Sequence, residues 1–160
     1  MQRWVLVVTV LASLALSTQA HAQADFQKDG KFGLGLGGGV FGSGLTGKLY
    51  LSDRVAGQAF VNFGYGRWGG FGANADAVFE MADLYKGEQL GLNWNVGVGA
   101  ALWTGVNAFG VGPEAFIGLR AYLRQVPLEF TVEYKPVLLF GSTDFGGFWH
   151  GGGGAIRYYF

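Results

Sequence analysis

The sequence contains no cysteine. Disulfides, thiolate metal sites, cysteine nucleophiles and a lipid-modified cysteine anchor are therefore excluded. Proline occurs only 3 times, and charged residues make up 14% of the chain, well below the roughly 25% of an ordinary soluble domain. Acidic and basic residues balance at 11 each. There is no basic stripe of the kind that follows a phosphate backbone, so nucleic acid is not an expected partner. What the chain has in abundance is glycine, 30 of 160 residues, and aromatic side chains, 16%. With so little proline and no collagen period, that mixture argues against disorder. The length is that of one domain.

The N-terminus reads as an export signal. Arg3 supplies the positive charge, Val5 to Leu16 an apolar run, and Ala20-His21-Ala22 an A-x-A cleavage site. Cleavage after Ala22 leaves Gln23 first, and a cut after Ala24 is the alternative. The apolar run is too short for a comfortable membrane-spanning helix. Residues 1–22 are thus assigned to the signal peptide, 23–30 to a polar periplasmic lead-in, and 31–160 to the folded domain. Losing residues 1–22 removes Arg3 and leaves 10 basic and 11 acidic residues, a net charge of −1.

From Lys31 onward the pattern has period two, the signature of half-buried strands. Leu90, Leu92, Trp94, Val96, Val98, Ala100 and Leu102 alternate with Gln89, Gly91, Asn93, Asn95, Gly97, Gly99 and Ala101. Residues 89–113 carry no charge, but their glycines and asparagines make a poor transmembrane helix. The same alternation recurs along the chain and gives eight strands of about ten residues, enough to cross a bilayer when tilted. Gly42-Ser43-Gly44, Ser52-Asp53-Arg54, Asp83 to Glu88 and Arg124 to Pro127 read as turns. Segments 66–72, 104–113 and 141–148 read as longer outer loops. The predicted fold is an all-β, eight-stranded, antiparallel, up-and-down transmembrane β-barrel.

One face of each strand is apolar and free of charge. The other collects Lys48, Asp76, Glu80, Glu114, Arg120, Glu129, Glu133, Lys135 and Arg157. With the apolar face toward lipid, these charges fill a narrow lumen, where they must pair. Centring the turns sets Lys48 opposite Gln58 with Glu80 nearby, Arg120 opposite Glu129 or Thr131, and Arg157 near Thr131 with Glu129 or Glu133 diagonal. The expected structural network is Lys48, Gln58, Glu80, Arg120, Glu129, Glu133, Lys135 and Arg157. In the last strand, Ile156, Tyr158 and Phe160 share a face. That aromatic-ended face suits a strand that closes the barrel and is read by the barrel-assembly machinery.

Short motifs support this reading: Gly33-Leu34-Gly35, then Gly44-Leu45-Thr46-Gly47-Lys48-Leu49-Tyr50-Leu51, Pro136-Val137, and Ala155-Ile156-Arg157-Tyr158-Tyr159-Phe160. Through them the chain resembles the small eight-stranded bacterial outer-membrane barrels, among them the transmembrane domain of outer-membrane protein A. It is more similar still to a bacterial barrel family of unknown function. The resemblance implies a barrel with an outer-membrane address in a Gram-negative envelope, and it carries over no catalytic residue.

Enzymatic chemistry has little to build on. His21 leaves with the signal, and His150 has no second histidine for a metal pair. Ser142, Thr143 and Asp144 precede His150, so a Ser–His–acid set is conceivable, yet a rim histidine is the simpler reading. The glycines at 33–39 lack the strand–loop–helix context of a nucleotide loop. Trp68, Phe71, Trp103, Phe109, Phe145, Phe148 and Trp149 fit an interfacial aromatic belt. The expectation is a monomeric barrel that is not an enzyme and binds no cofactor or metal. Its partners are outer-membrane lipid and the assembly machinery, and its role is structural or surface-interacting through the outer loops. The alternatives are a narrow pore for small solutes or a soluble periplasmic lipocalin-like carrier.

Overall fold

The computed structural model describes residues 31–64, 69–105, 108–142 and 146–160. The expected signal peptide, the expected Ala22–Gln23 cleavage point, the expected 23–30 lead-in and the residues Trp68, Thr143, Asp144 and Phe145 lie outside the described residues.

Eight strands follow in order: β1 Phe32–Gly39, β2 Gly42–Tyr50, β3 Val55–Gly64, β4 Gly70–Lys86, β5 Leu90–Gly105, β6 Ala108–Leu123, β7 Leu128–Gly141 and β8 Gly147–Tyr159. Each pairs antiparallel with its sequence neighbour, and β8 pairs back onto β1, so the sheet closes into a barrel. Closure removes both sheet edges and leaves no open ladder for another chain to extend.

The period-two pattern decides what faces where. Leu36, Val132 and Ile117 stand on the outside at 67%, 68% and 53% exposure. Asn93 and Asn95 point inward and are fully buried, while Leu92, Trp94 and Val96 between them face out. Every interior charge named above is buried. The apolar face is therefore the exterior. A lipocalin-like carrier requires the reverse polarity, with an apolar cavity inside.

Glycine and aromatic residues are used together. Gly91 lies directly opposite Tyr122 and Gly97 opposite Phe116, Gly72 opposite Trp103, and Gly33 opposite Tyr159. A methyl group on Gly91 or Gly97 would fall 2.1 Å from the facing ring, and on Gly72 or Gly33 2.7 Å from it. Each ring thus occupies the space that its partner's missing side chain leaves. This lets large aromatics fit into an eight-stranded lumen.

Several element boundaries differ from the sequence reading. The strands span 8 to 17 residues rather than about ten each, with β4, β5 and β6 at 17, 16 and 16. Gly42-Ser43-Gly44 belongs to β2, and the turn is Val40-Phe41, closed by the Gly39–Gly42 pair. Gly42 has φ of 118°, a conformation that excludes side chains, which is why a glycine stands there. Phe71 and Gly72 are in β4, not in a loop. Asp83 to Lys86 also extend β4, through two register shifts after Glu80 that absorb the extra residues as bulges. The 104–113 loop is a hairpin whose paired strands reach Gly105 and Ala108. Gly141, Gly147 and Phe148 are strand residues, which shortens the 141–148 loop from both sides.

Candidate functional site

Among the described residues, charge is concentrated in the lumen. Its polar residues separate into two layers. The lower layer lies toward Phe32, Phe160 and the turns at 51–54, 87–89 and 124–127, and the upper layer lies toward the opposite mouth.

Two glutamates organise the lower layer. Glu129 on β7 receives Arg157 Nη1 at 2.8 Å and Tyr159 OH at 2.9 Å. It is also bonded by Arg120 Nε, with Lys48 Nζ at 3.5 Å. Glu80 on β4 accepts from Lys48 Nζ, from Tyr50 OH at 2.9 Å and from Asn93 Nδ2 at 3.1 Å. Arg157 is held further by Thr46 Oγ1 at 2.9 Å and Gln58 Oε1 at 3.1 Å. The side chains of Lys48, Glu80, Arg120, Glu129 and Arg157 have no exposed surface. The Arg120 guanidinium lies 4.5 Å from the Tyr122 ring centroid and 5.5 Å from that of Tyr50. Its two terminal nitrogens have no hydrogen-bond partner, and the aromatic faces offset part of that cost.

The upper layer is built on Lys135 of β7. Its ammonium meets Asp76 Oδ2 at 2.7 Å, Glu133 Oε2 at 3.5 Å and Glu114 Oε1 at 3.6 Å. It also sits 4.8 Å from the ring centroids of both Phe60 and Phe116. Asn74 Nδ2 donates to Glu114 Oε1 at 2.7 Å and to Asp76 Oδ2 at 3.4 Å. A cavity of about 20 Å³ lies here, lined in part by Asn62, Asn74, Glu114, Glu133 and Lys135. That is room for about one water molecule.

Gln58 joins the layers. Its amide nitrogen donates upward to Asp76 Oδ2 at 3.1 Å and Glu133 Oε1 at 3.3 Å, while its oxygen accepts from Arg157 below. Above the upper layer an apolar cluster of Ala101, Trp103, Val137 and Leu139 narrows the mouth, with Phe41, Ala108 and Trp149 packed against it. Phe41 stacks on Trp103 with ring centroids 5.5 Å apart.

The eight residues expected to form one lumen network thus fall into two sets. Lys48, Glu80, Arg120, Glu129 and Arg157 meet below, Glu133 and Lys135 meet above, and Gln58 lies between them. One pairing is displaced: Arg157 stands directly opposite Glu129, and Thr131 faces Ala155 instead. Tyr50, Tyr159, Thr46, Asn74 and Asn93 complete the shells of the charges, although the sequence reading did not single them out. Their signal was parity: Tyr50, Tyr159, Thr46 and Asn74 share a strand face with an interior charge, and Asn93 lies on the polar face of the uncharged β5. Trp103, assigned to the aromatic belt, is inside and 1% exposed. It shares its face with Ala101, and the facing glycine admits it. Phe71, Phe109 and Phe148 remain exposed on the outer surface.

Of the conceivable Ser–His–acid set, Ser142 and His150 lie among the described residues and Thr143 and Asp144 do not. His150 is exposed, with its ring 6.0 Å from that of Tyr134 and 5.9 Å from that of Phe148. Ser142 Oγ accepts from the backbone nitrogen of Phe109 at 3.2 Å. Among the described residues no grouping of carboxylates and histidine suits a metal ion. Ile156, Tyr158 and Phe160 alternate along the outer side of β8, and the last two rings meet edge to face at 5.2 Å.

Comparison with solved structures finds the same architecture in the N-terminal β-barrel domain of OprF from Pseudomonas aeruginosa. The two superpose with a TM-score of 0.56 at 16% identity, over 82% of this chain and 98% of that one. The fold is thereby defined as a closed eight-stranded barrel of the kind seen in OprF. No protein-family model and no curated protein matches the chain.

Proposed function

We propose that the protein is a bacterial outer-membrane β-barrel with a closed, charge-paired lumen, acting as a structural or surface-interacting element rather than as an enzyme. The observation that carries this is inverted polarity. The exterior is an apolar wall, while the interior holds nine ionisable side chains of Lys, Arg, Asp and Glu type, all buried. Water would leave the wall unsatisfied, whereas lipid suits it. The closed eight-stranded fold shared with the N-terminal β-barrel domain of OprF supports the barrel part of this reading.

A passage would have to break both ionic layers and displace the Trp103 cluster. The lower layer alone holds five charged side chains with no solvent exposure, and removing one partner from such a set costs about 3–5 kcal/mol. The lumen is therefore closed, and contact with the surroundings falls to the mouth formed by the β3–β4, β5–β6 and β7–β8 connections. Outer-membrane lipid covers the wall. The assembly machinery reads the Ile156, Tyr158 and Phe160 face of β8, and the barrel works as a monomer.

The test is fractionation followed by planar-bilayer recording. The protein should partition with outer-membrane fractions and migrate faster on gels before heating than after. Deletion of Phe160 should lower the folded fraction. The purified barrel should give no steady conductance. Stable openings that change with Glu133→Ala or Lys135→Ala would replace this reading with the narrow pore, and release of the protein in soluble form would remove the membrane assignment.

A further inference from the structure

The upper layer has more acid than its partners can neutralise. Three carboxylates, Asp76, Glu114 and Glu133, lie within 3.6 Å of one ammonium, Lys135. With all four ionised the layer carries a net charge of −2, and its carboxylates expose 0–2% of their side chains. Among the described residues the groups facing it are uncharged. β3 contributes Gln58, Phe60 and Asn62, β4 contributes Asn74, and β5 contributes Gly97, Gly99 and the buried Asn95, which lies over Gly118 beside Glu133. β6 adds Phe116, and β1 and β8 add the glycines at 37–39 and Gly153. Arg157 touches the layer only through Gln58, and its own guanidinium is committed to Glu129 below.

A buried excess of like charge is relieved by neutralising one member. Two observations say how. Asp76 and Glu114 converge on the same two donors, Lys135 Nζ at 2.7 and 3.6 Å and Asn74 Nδ2 at 3.4 and 2.7 Å, and two carboxyl groups held this close are relieved by sharing one proton. Independently, Asn62 Oδ1 and Asp76 Oδ1 are buried acceptors without a donor, on residues 4% and 5% exposed. Asn62 lines the water-sized cavity beside Glu114. A buried acceptor of this kind calls for an O–H donor. A divalent ion has no seat, because the carboxylates converge on the ammonium rather than on a shared coordination point.

We propose that the upper layer is a proton-binding site: Asp76 and Glu114 share one exchangeable proton, with a water in the adjoining cavity donating to Asn62. Exchange reaches the outer mouth past Lys135, whose side chain is 8% exposed where the carboxylates beside it are sealed. The lower layer, with cations in excess, holds no such proton.

Infrared spectroscopy of the folded mature chain in detergent at neutral pH tests this. The wild type should show a protonated-carboxyl stretch that shifts in heavy water. Glu114→Gln or Asp76→Asn should remove it, and Glu88→Gln in the exposed turn should leave it unchanged. Replacing choline with sodium in the buffer should not alter it. Absence of the band in the wild type overturns the proposal, as does a band that survives both substitutions in variants that keep the fast-migrating folded form. A band lost on sodium addition would assign the site to a metal cation instead. Should neither variant fold, the wild-type spectrum decides.

Discussion

The two layers of the lumen solve opposite problems with the same residue types. Below, three cations, Lys48, Arg120 and Arg157, share two carboxylates. Above, three carboxylates share one ammonium. The lower layer is sealed and backed by Tyr50 and Tyr159, whose hydroxyls donate to the glutamates. The upper layer borders a cavity and contains orphaned acceptors. A cation excess is relieved only by the loss of a proton, which the two arginines, Arg120 and Arg157, cannot undergo. It has to be held by geometry, which makes the lower layer rigid. An acid excess can take up a proton, which leaves the upper layer adjustable. Equal numbers of charges would not have revealed this difference, which lies in the sign of the surplus.

The comparison is broken most sharply at Glu129. Glu129→Ala strips Arg120, Arg157 and Lys48 of their shared partner and should cost about 3–5 kcal/mol. Urea unfolding followed by the loss of heat-modifiable migration will measure it, and a loss below about 1 kcal/mol would mean the layer is not rigid. Lys135→Met is the counterpart above. It should cost only about 2 kcal/mol, because the carboxylates left behind can take up protons, and the loss should shrink at acidic pH in the same assay. The smallest effect tests the link between the layers. In a double-mutant cycle, the coupling between Glu129→Gln and Lys135→Met should be about 0.5–1 kcal/mol with Gln58 present, and should vanish in a Gln58→Leu background.

Much of the fold was legible because a strand that separates an apolar exterior from a polar lumen must alternate strictly. Residues 89–102 show this; parity put Lys48, Arg120 and Arg157 on the charged face of their strands, and turning the charge-free apolar face outward placed them inside. Heights and ends were less legible. The glycines of 104–113 read as a loop because glycine and proline mark turns. In the wall the same glycines mark close approach of strands: Gly112 has Leu138 O 1.8 Å from where its Cβ would stand. The bulges after Glu80 carry no composition signal that separates them from a turn. The division into two layers was hidden for a different reason. Which interior residues share a level depends on the stagger between strands around the closed sheet, and a strand's own sequence does not state it. Arg157 shows the size of the error, since it moved from Thr131 to Glu129, two residues along β7.

The glycine–aromatic pairs have a further consequence. Sliding β5 past β6 by one residue would turn the faces inside out and is forbidden by polarity. Sliding by two would keep every face correct, so hydrophobicity alone does not forbid it. Yet such a slip would drive Tyr122 onto Gln89 or Asn93 in place of Gly91. The missing side chains therefore act as notches cut to one key. They store the alignment of the wall in a form that the apolar–polar alternation cannot carry.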